Sequence, residues 1–127
     1  MLNSARAILA ARMATWTATP ICWPNTQPLT SSNAPWVRFA VIGRGDITET
    51  IHATAPGAEA GYVAVQCFAP AGSGDGVISG HADSIAALFR GYASGKLACG
   101  TKVEKRTVGE SDGWYQINVI IPWTITE

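Results

Sequence analysis

The sequence contains few charged residues and has no excess of either sign. Charged residues make up 14% of the 127 positions, and 9 basic side chains balance 9 acidic ones. A net charge of zero gives no electrostatic footprint for DNA or for an anionic membrane. It also favours self-association near neutral pH, since net repulsion between copies is small. Because few charged side chains are available for the solvent-exposed surface, we expect exposed apolar patches, which mark surfaces that bind a partner.

Cysteine is scarce, and its spacing fits no common metal or disulfide pattern. Cys22, Cys67 and Cys99 are odd in number and far apart, and no CxxC pair occurs. This usage predicts three free thiols in or near the core of a protein kept in a reducing cytoplasm. Together with His52 and His81, these are the candidate metal ligands, and none has a known ligand spacing. We therefore expect no metal site.

Long uninterrupted apolar runs are also missing. In the first twenty residues, "MLNSARAILAARMATWTATP", Arg12 interrupts the apolar stretch and leaves only residues 7–11 uncharged before it. A secretory signal needs a longer clean run, and no segment is long enough to cross a bilayer as a helix. The sequence therefore predicts a soluble cytoplasmic protein.

Apolar residues, in contrast, are abundant. They make up 47% of the chain, which is enough to build a core and argues against disorder. At this length we expect one domain that covers residues 1–127.

Two segments have the periodicity of amphipathic helices. Residues 3–17 predict an N-terminal helix capped by Asn3 or Ser4. Its apolar stripe consists of Ala5, Leu9, Met13 and Trp16, with Ile8 beside it and Arg6 and Arg12 off it. Residues 77–92 predict a central helix that ends at Gly91 and Gly95. Its apolar face consists of Val77 or Ile78, Ala82, Ile85 and Phe89, with Leu88 next to it.

The remaining segments alternate as strands do. Residues 21–23 are long enough only for a very short strand. Residues 35–45 and 46–55 are predicted to be strands, joined by a hairpin connection at "GRGD". Residues 60–70 form a long, apolar and therefore central strand. Residues 96–109 and 112–125 predict a closing hairpin. The expected fold is α+β: a mostly antiparallel, mixed sheet of about five strands packed with an N-terminal helix and one central helix.

A glycine-rich loop follows the third long strand and opens the central helix. In "AGSGDGVISG", Gly74, Gly76 and Gly80 have a spacing that could bring a phosphate to a helix N-terminus. However, the loop has no lysine, Asp75 would repel a phosphate, and the chain is too short for a paired dinucleotide fold. We expect a flexible connection here.

No group of residues forms a coherent catalytic site. His81 and Asp83, with Ser73 or Ser84 nearby, are the residue types of a hydrolase triad, but neighbours at i and i+2 on a helix do not face each other. Asp46 and Glu49 fall on opposite faces of a predicted strand, so they are poorly placed to act together in general acid–base catalysis. We therefore expect no catalytic residue and no cofactor.

Positive charge is concentrated in "KVEKRTVGE", at Lys102, Lys105 and Arg106. The simpler interpretation is a solvated hairpin edge, where Lys discourages stray strand pairing. The alternative is a rim that meets an acidic partner or passing DNA, although three charges are too few for strong DNA binding.

Two tryptophans flank a polar loop. Trp23 stands in a Trp-Pro-Asn turn, and Trp36 follows Pro35, with residues 25–34 between them. Trp is favoured where one end of the ring packs and the other stays wet, as at interfaces. One hypothesis is that the rings anchor the loop while residues 25–34 reach a neighbouring molecule. The alternative hypothesis, which the sequence supports equally, is that the two tryptophans anchor a loop that contacts no partner.

The order of these pieces resembles a known family. "ICWPN", "PWVRFAV", "YVAVQCFAPAGSGDG", "ADSIAALF", "LACGTKV" and "GWYQINVIIPW" follow an N-terminal helix in this order. The chain is similar over nearly its whole length to the tail terminator, or tail completion, proteins of long-tailed bacteriophages, the class to which the lambda tail terminator belongs. None of these pieces is a catalytic motif.

The resemblance implies a structural virion protein, assembled in the host cytoplasm. It implies a ring, commonly a hexamer, on the head-proximal end of the tail tube, which ends tube polymerisation and offers a docking face to the head connector. Its partners would be other copies of itself, the tail tube protein and the connector or stopper protein. Genomic DNA would pass through the lumen without specific binding.

We single out interface residues for this role, with the basic ones as candidate lining of a DNA channel. They are Trp23, Asn25, Trp36, Arg38, Arg44, Lys102, Lys105 and Arg106. Three other classes stay open: another head–tail joining or tail tube protein, a non-viral oligomeric adaptor, and a small nucleotide-binding domain that uses the loop at residues 72–80.

Overall fold

The computed structural model describes residues 2–24, 34–43, 59–72, 76–111 and 113–125. The helices are α1 (Leu2–Met13) and α2 (Gly76–Phe89). The strands are β1 (Ile21–Cys22), β2 (Trp36–Gly43), β3 (Glu59–Pro70), β4 (Ala93–Ser94), β5 (Leu97–Cys99), β6 (Glu104–Ser111) and β7 (Trp114–Ile125). The strand predicted over residues 46–55 and residues 73–75 of the glycine-rich loop lie outside the described residues, whereas Gly76 and Gly80 belong to α2.

The centre of the sheet is the antiparallel pair β3–β7. It runs in unbroken register from Glu59 opposite Ile125 to Pro70 opposite Trp114. β2 pairs with the other side of β3, and β1 adds to β2 as a parallel strand. β5 and β6 both pair with the outer side of β7, and β4 pairs with β5. The prediction of a mostly antiparallel α+β fold with a central third strand is confirmed.

The predicted number of about five strands is too low, because the described residues alone contain seven. The segment expected to be one hairpin strand over residues 96–109 is divided into β5 and β6. The chain turns away at Gly100, whose N–H donates to the Pro122 carbonyl of β7 at 2.8 Å. β4 and β5 contain two and three residues, which is too short for an alternating pattern to predict.

Alternation along the long strands gives the sheet two different faces. Val63 and Val65 of β3 and Val119 and Ile121 of β7 are fully buried, and the residues between them are half-buried. The buried set shares one hydrophobic cluster with the apolar residues of α1 and α2. Both helices therefore pack on the same face of the sheet.

The stripe predicted for the first helix is confirmed. Ala5, Leu9 and Met13 are completely buried, and Trp16 packs against the core from beyond the helix end. The helix ends at Met13 rather than Thr17, because the Trp16 N–H donates to the Met13 carbonyl at 2.9 Å in a tight turn. The predicted cap is wrong, since Asn3 and Ser4 lie inside the helix.

The central helix also has the predicted face. Ile78, Ala82, Ile85 and Phe89 are buried, whereas Val77 is 56% exposed, which decides between Val77 and Ile78. The helix ends at Phe89, and Gly91 then adopts a φ of 67°. A glycine reaches this left-handed conformation without steric cost.

Arg12 joins the two helices, although the sequence pattern places it off the apolar stripe. Its Nε donates to the Leu88 carbonyl at 2.9 Å, and its guanidinium lies 4.4 Å from the centre of the Tyr92 ring. The last carbonyls of a helix lack partners within the helix and carry partial negative charge. Arg12 of α1 therefore supplies a charged hydrogen-bond donor to a carbonyl at the C-terminal end of α2.

Replacing Arg12 by Ala should lower the free energy of unfolding by about 1–3 kcal/mol, because the Leu88 carbonyl loses a charged donor and Tyr92 loses a packed neighbour. Denaturant unfolding measures this change. Arg6→Ala, at an exposed position of the same helix, is the control and should stay within about 0.5 kcal/mol. Equal effects of the two substitutions would contradict the role given to Arg12.

Gly61 of strand β3 lies between Gly43 of β2 and Trp123 of β7. An alanine Cβ there would collide with the Ile42 carbonyl and lie 2.6 Å from Cζ2 of the buried Trp123. Gly61→Ala should therefore destabilise the fold by about 1–3 kcal/mol, as overpacking does. The matched control is Gly80→Ala in α2, where the added Cβ meets nothing and helix propensity predicts a gain of up to about 1 kcal/mol. Thermal unfolding of both variants checks the opposite signs.

Candidate functional site

The candidate site is the face of the sheet opposite the helices, which we call the open face. It is formed by every second side chain of β2, β3 and β7, starting at Trp36, Ala60 and Trp114. Most of these side chains are half-buried, and Ile42 is 36% exposed. In the described part of the chain both helices pack on the other side.

An aromatic cluster occupies one end of the open face. The Trp36 ring stacks on Phe68 at 4.4 Å between centroids, and Trp114 meets it edge-on at 6.1 Å. Trp36 is only 3% exposed, and its Nε1 is buried without a hydrogen-bond partner. Side chains of its own chain thus cover the ring that the sequence suggested for an interface. Phe68 and Trp114 are the half-buried members of the cluster.

A polar row crosses the middle of the open face, consisting of Arg38, Gln66, Asn118 and Arg106. Strand register places these residues side by side on β2, β3, β7 and β6. Arg38 Nη1 lies 3.5 Å from Gln66 Oε1, and Gln116 Nε2 donates to Asn118 Oδ1 at 2.7 Å. The row therefore presents two guanidinium groups at its ends and two amides between them.

The other basic candidates lie elsewhere. Lys105 is opposite Val119 and forms an ion pair with Asp83 of α2, so it belongs to the helix side of the sheet. Lys102 is exposed between β5 and β6. The sequence cluster at residues 102–106 thus divides between two faces, because successive side chains of a strand point to opposite sides.

Trp23 is separate from the polar row as well. Its ring meets Phe39 edge-on at 5.5 Å and packs against the core cluster. Asn25 and Arg44, the two remaining interface candidates, lie outside the described residues. Of the proposed set, the structure brings together Trp36, Arg38 and Arg106 on the open face.

The structure does not assemble the candidate catalytic residues of α2. His81 meets the Trp16 ring edge-on at 5.6 Å, and burial lowers its pKa from the ordinary 6.5. Asp83 pairs with Lys105 instead. Among the described residues, no three His, Cys, Asp or Glu side chains are grouped as a metal site would require.

The three cysteines are free and buried, as predicted. Burial raises the pKa of the Cys67 thiol to about 12 and that of Cys99 to about 11, where the positive charge of Arg12 acts in the opposite direction. A thiol reacts as the thiolate, so these two are packing residues rather than nucleophiles.

At about pH 8, Cys67 and Cys99 of the native protein should react with an aromatic disulfide reagent about 100-fold or more slowly than in the unfolded chain, since the thiolate fraction falls tenfold per unit of pKa. A thiol of the unfolded chain has a pKa near 9.0, whereas burial raises the pKa of Cys99 to about 11 and that of Cys67 to about 12. Their contribution to stability is thus complete below pH 9 and is lost as the pH rises from about 9 to 12.

Peptide mass spectrometry after timed labelling measures the reaction at each cysteine. The same protein in denaturant is the control, in which all three cysteines should react at the ordinary rate. Fast labelling of native Cys67 or Cys99 would contradict their assignment as packing residues.

The two helices and the mixed sheet define a small α+β protein. No helix in the described part is long and apolar enough to cross a membrane. Over residues 4–123 the sequence matches the family described as phage tail terminator protein. The chain belongs to this family, which is a structural one, and is therefore a component of phage tails.

Comparison with solved structures agrees on the fold. One solved chain superposes with a TM-score of 0.75 at 19% identity, and the match covers 100% of this chain and 96% of that one. At this identity the likeness shows the fold alone. No curated protein sequence matches this chain.

Proposed function

We propose that this protein forms a closed ring of six subunits on the head-proximal end of the phage tail tube. The ring ends tube polymerisation and provides the docking face for the head connector. The observation that carries this proposal is membership of the tail terminator family over residues 4–123. Its role is structural and non-catalytic, and its place is the virion after assembly in the host cytoplasm.

The mechanism is geometric. A subunit that pairs head-to-tail with its neighbour closes into a ring if the rotation closes, and otherwise grows into a filament. A tube subunit must repeat its stacking surface on both ends of each ring. A terminator needs that surface on one end only, and the other end instead meets the connector.

Two features of the fold support assembly with other subunits. Neither of the two described helices covers the open face, and strand β6 is a long edge strand whose residues are exposed except for the half-buried Gly109. In the described residues β6 pairs with β7 alone. An edge strand of this kind offers unpaired backbone groups to another chain.

The contact residues of the ring are part of the proposal. Arg38 and Arg106 lie on the open face, and Lys102 is exposed between β5 and β6. Trp23 and Trp36 support the two ends of the loop at residues 25–34, which we propose reaches a neighbouring subunit.

Native mass spectrometry over a range of protein concentrations tests the ring. We expect one closed species of six subunits at high concentration, with no larger species, because closed rings leave no free subunit contacts. A series of ever larger polymers would identify a tube subunit instead. A second measurement mixes the protein with tail tubes and counts capped ends by electron microscopy.

The control for tube capping is the tube protein alone, whose polymers should keep growing. If the protein neither forms a ring nor shortens the tubes, the proposed function is wrong. A monomer that still stops tube growth would retain the terminator role and indicate that the tube end templates the ring.

A further inference from the structure

We propose that strand β6 opens away from β7 while the rest of the sheet stays folded, and that an ion pair between β6 and α2 holds it closed. This ion pair joins Lys105 to Asp83, and we call it the clasp. The inference goes beyond the proposed function, because it gives the edge strand a second state. Opening is a property of a single subunit and does not depend on ring formation.

Strand β6 adds no side chain to the core. Its residues are exposed except for the half-buried Gly109, and the core cluster has no member from this strand. Its pairing with β7 is interrupted at Val108, which is opposite no residue of β7 and is 52% exposed. A bulge of this kind disrupts the ladder of backbone hydrogen bonds locally. Two short ladders, with no buried apolar contact behind them, therefore attach β6 to the sheet.

An open groove separates β6 from α2 on the helix side of the sheet. Its cavity has a volume of about 140 Å³. The groove is lined by Ser79, Ala82 and Asp83 of α2, by Lys105 and Thr107 of β6, and by Ile117 of β7. Ile117 is buried, whereas the two residues of β6 are exposed. The helix thus packs on β7 and leaves β6 uncovered.

The clasp is the one side-chain link across this groove. Among the described residues, no other ion pair or side-chain hydrogen bond joins β6 to a helix. The side chains of Lys105 and Asp83 are 43% and 62% exposed. Water and salt therefore screen their attraction, and such a pair contributes only a small free energy. A link of this strength holds a weakly attached strand and is easily released.

Opening exchanges one free edge of the sheet for another. In the closed state, β6 pairs with β7 alone, and its outer side is the edge. When β6 leaves, the backbone groups of β7 between Trp114 and Ile120 lose their partners on that side. Unpaired strand edges bind strands of other chains. The clasp therefore determines which strand, β6 or β7, another chain meets at this edge.

Hydrogen–deuterium exchange, followed by mass spectrometry of peptides that cover residues 104–111, measures the opening. In the unmodified protein these amides should exchange faster than those of β3, which lies between β2 and β7. Lys105→Gln and Asp83→Asn should each accelerate exchange in β6 by about 1.5- to 5-fold, the range expected for an exposed ion pair. The double variant should be no faster than either single variant, because both substitutions remove the same link.

The matched control is Arg106→Gln. It removes the same charge from the same strand, but the ion pair that it breaks, with Glu104, lies within β6 and spans no groove. Exchange in β6 should then change by less than about 1.5-fold.

Salt provides a second control. Raising NaCl from about 0.05 M to about 1 M shortens the Debye length to about 3 Å. Exchange in β6 of the unmodified protein should accelerate, whereas that of Lys105→Gln should change little, because the clasp is already lost.

Three results would overturn the inference. These are exchange in β6 as slow as in β3, equal acceleration by Lys105→Gln and Arg106→Gln, and effects that multiply in the double variant. Variants are compared in one assembly state, which native mass spectrometry identifies. A protein that opens as expected but forms no ring contradicts only the proposed function. A ring in which the clasp variants exchange like the unmodified protein contradicts only this inference.

Discussion

The unbroken pairing of β3 with β7 is the constraint on which the rest of the structure depends. Each strand has twelve residues, and all of them are paired. A slip of one residue in either strand would turn its buried side chains to the other face. The apolar set of Val63, Val65, Val119 and Ile121 prevents such a slip, because exposing it would cost far more than the pairing returns. The core and the open face are therefore two consequences of one register.

Much of this architecture could be predicted from the sequence because it is local. Alternation in β3 and β7 and the stripe of Ala5, Leu9 and Met13 each depend on spacing within one segment. The cap of α1, the strands β4 and β5 and the bond from Arg12 to Leu88 could not be predicted. They depend on a helix end or a turn meeting a distant element, and a short strand or a single polar contact leaves no periodic signal.

The candidate site was predicted only as a set of residue types. Arg38 and Arg106 were named as basic candidates, but Gln66 and Asn118 were missed, because nothing in their own segments distinguishes them. The four become neighbours only when strand order and register are known. The same geometry divides the sequence cluster at residues 102–106, because Lys105 pairs with Asp83 of α2 on the helix side and Arg106 lies in the polar row.

Net charge adds charges without regard to place, so a sum of zero does not say how the arginines are arranged. Strand register sets Arg38 and Arg106 at the two ends of the polar row. Their surroundings differ, because Arg38 lies against the rings of Trp36 and Phe68 whereas Arg106 pairs with Glu104. The character of the open face therefore follows from the neighbours that register supplies to each charge rather than from the number of charges.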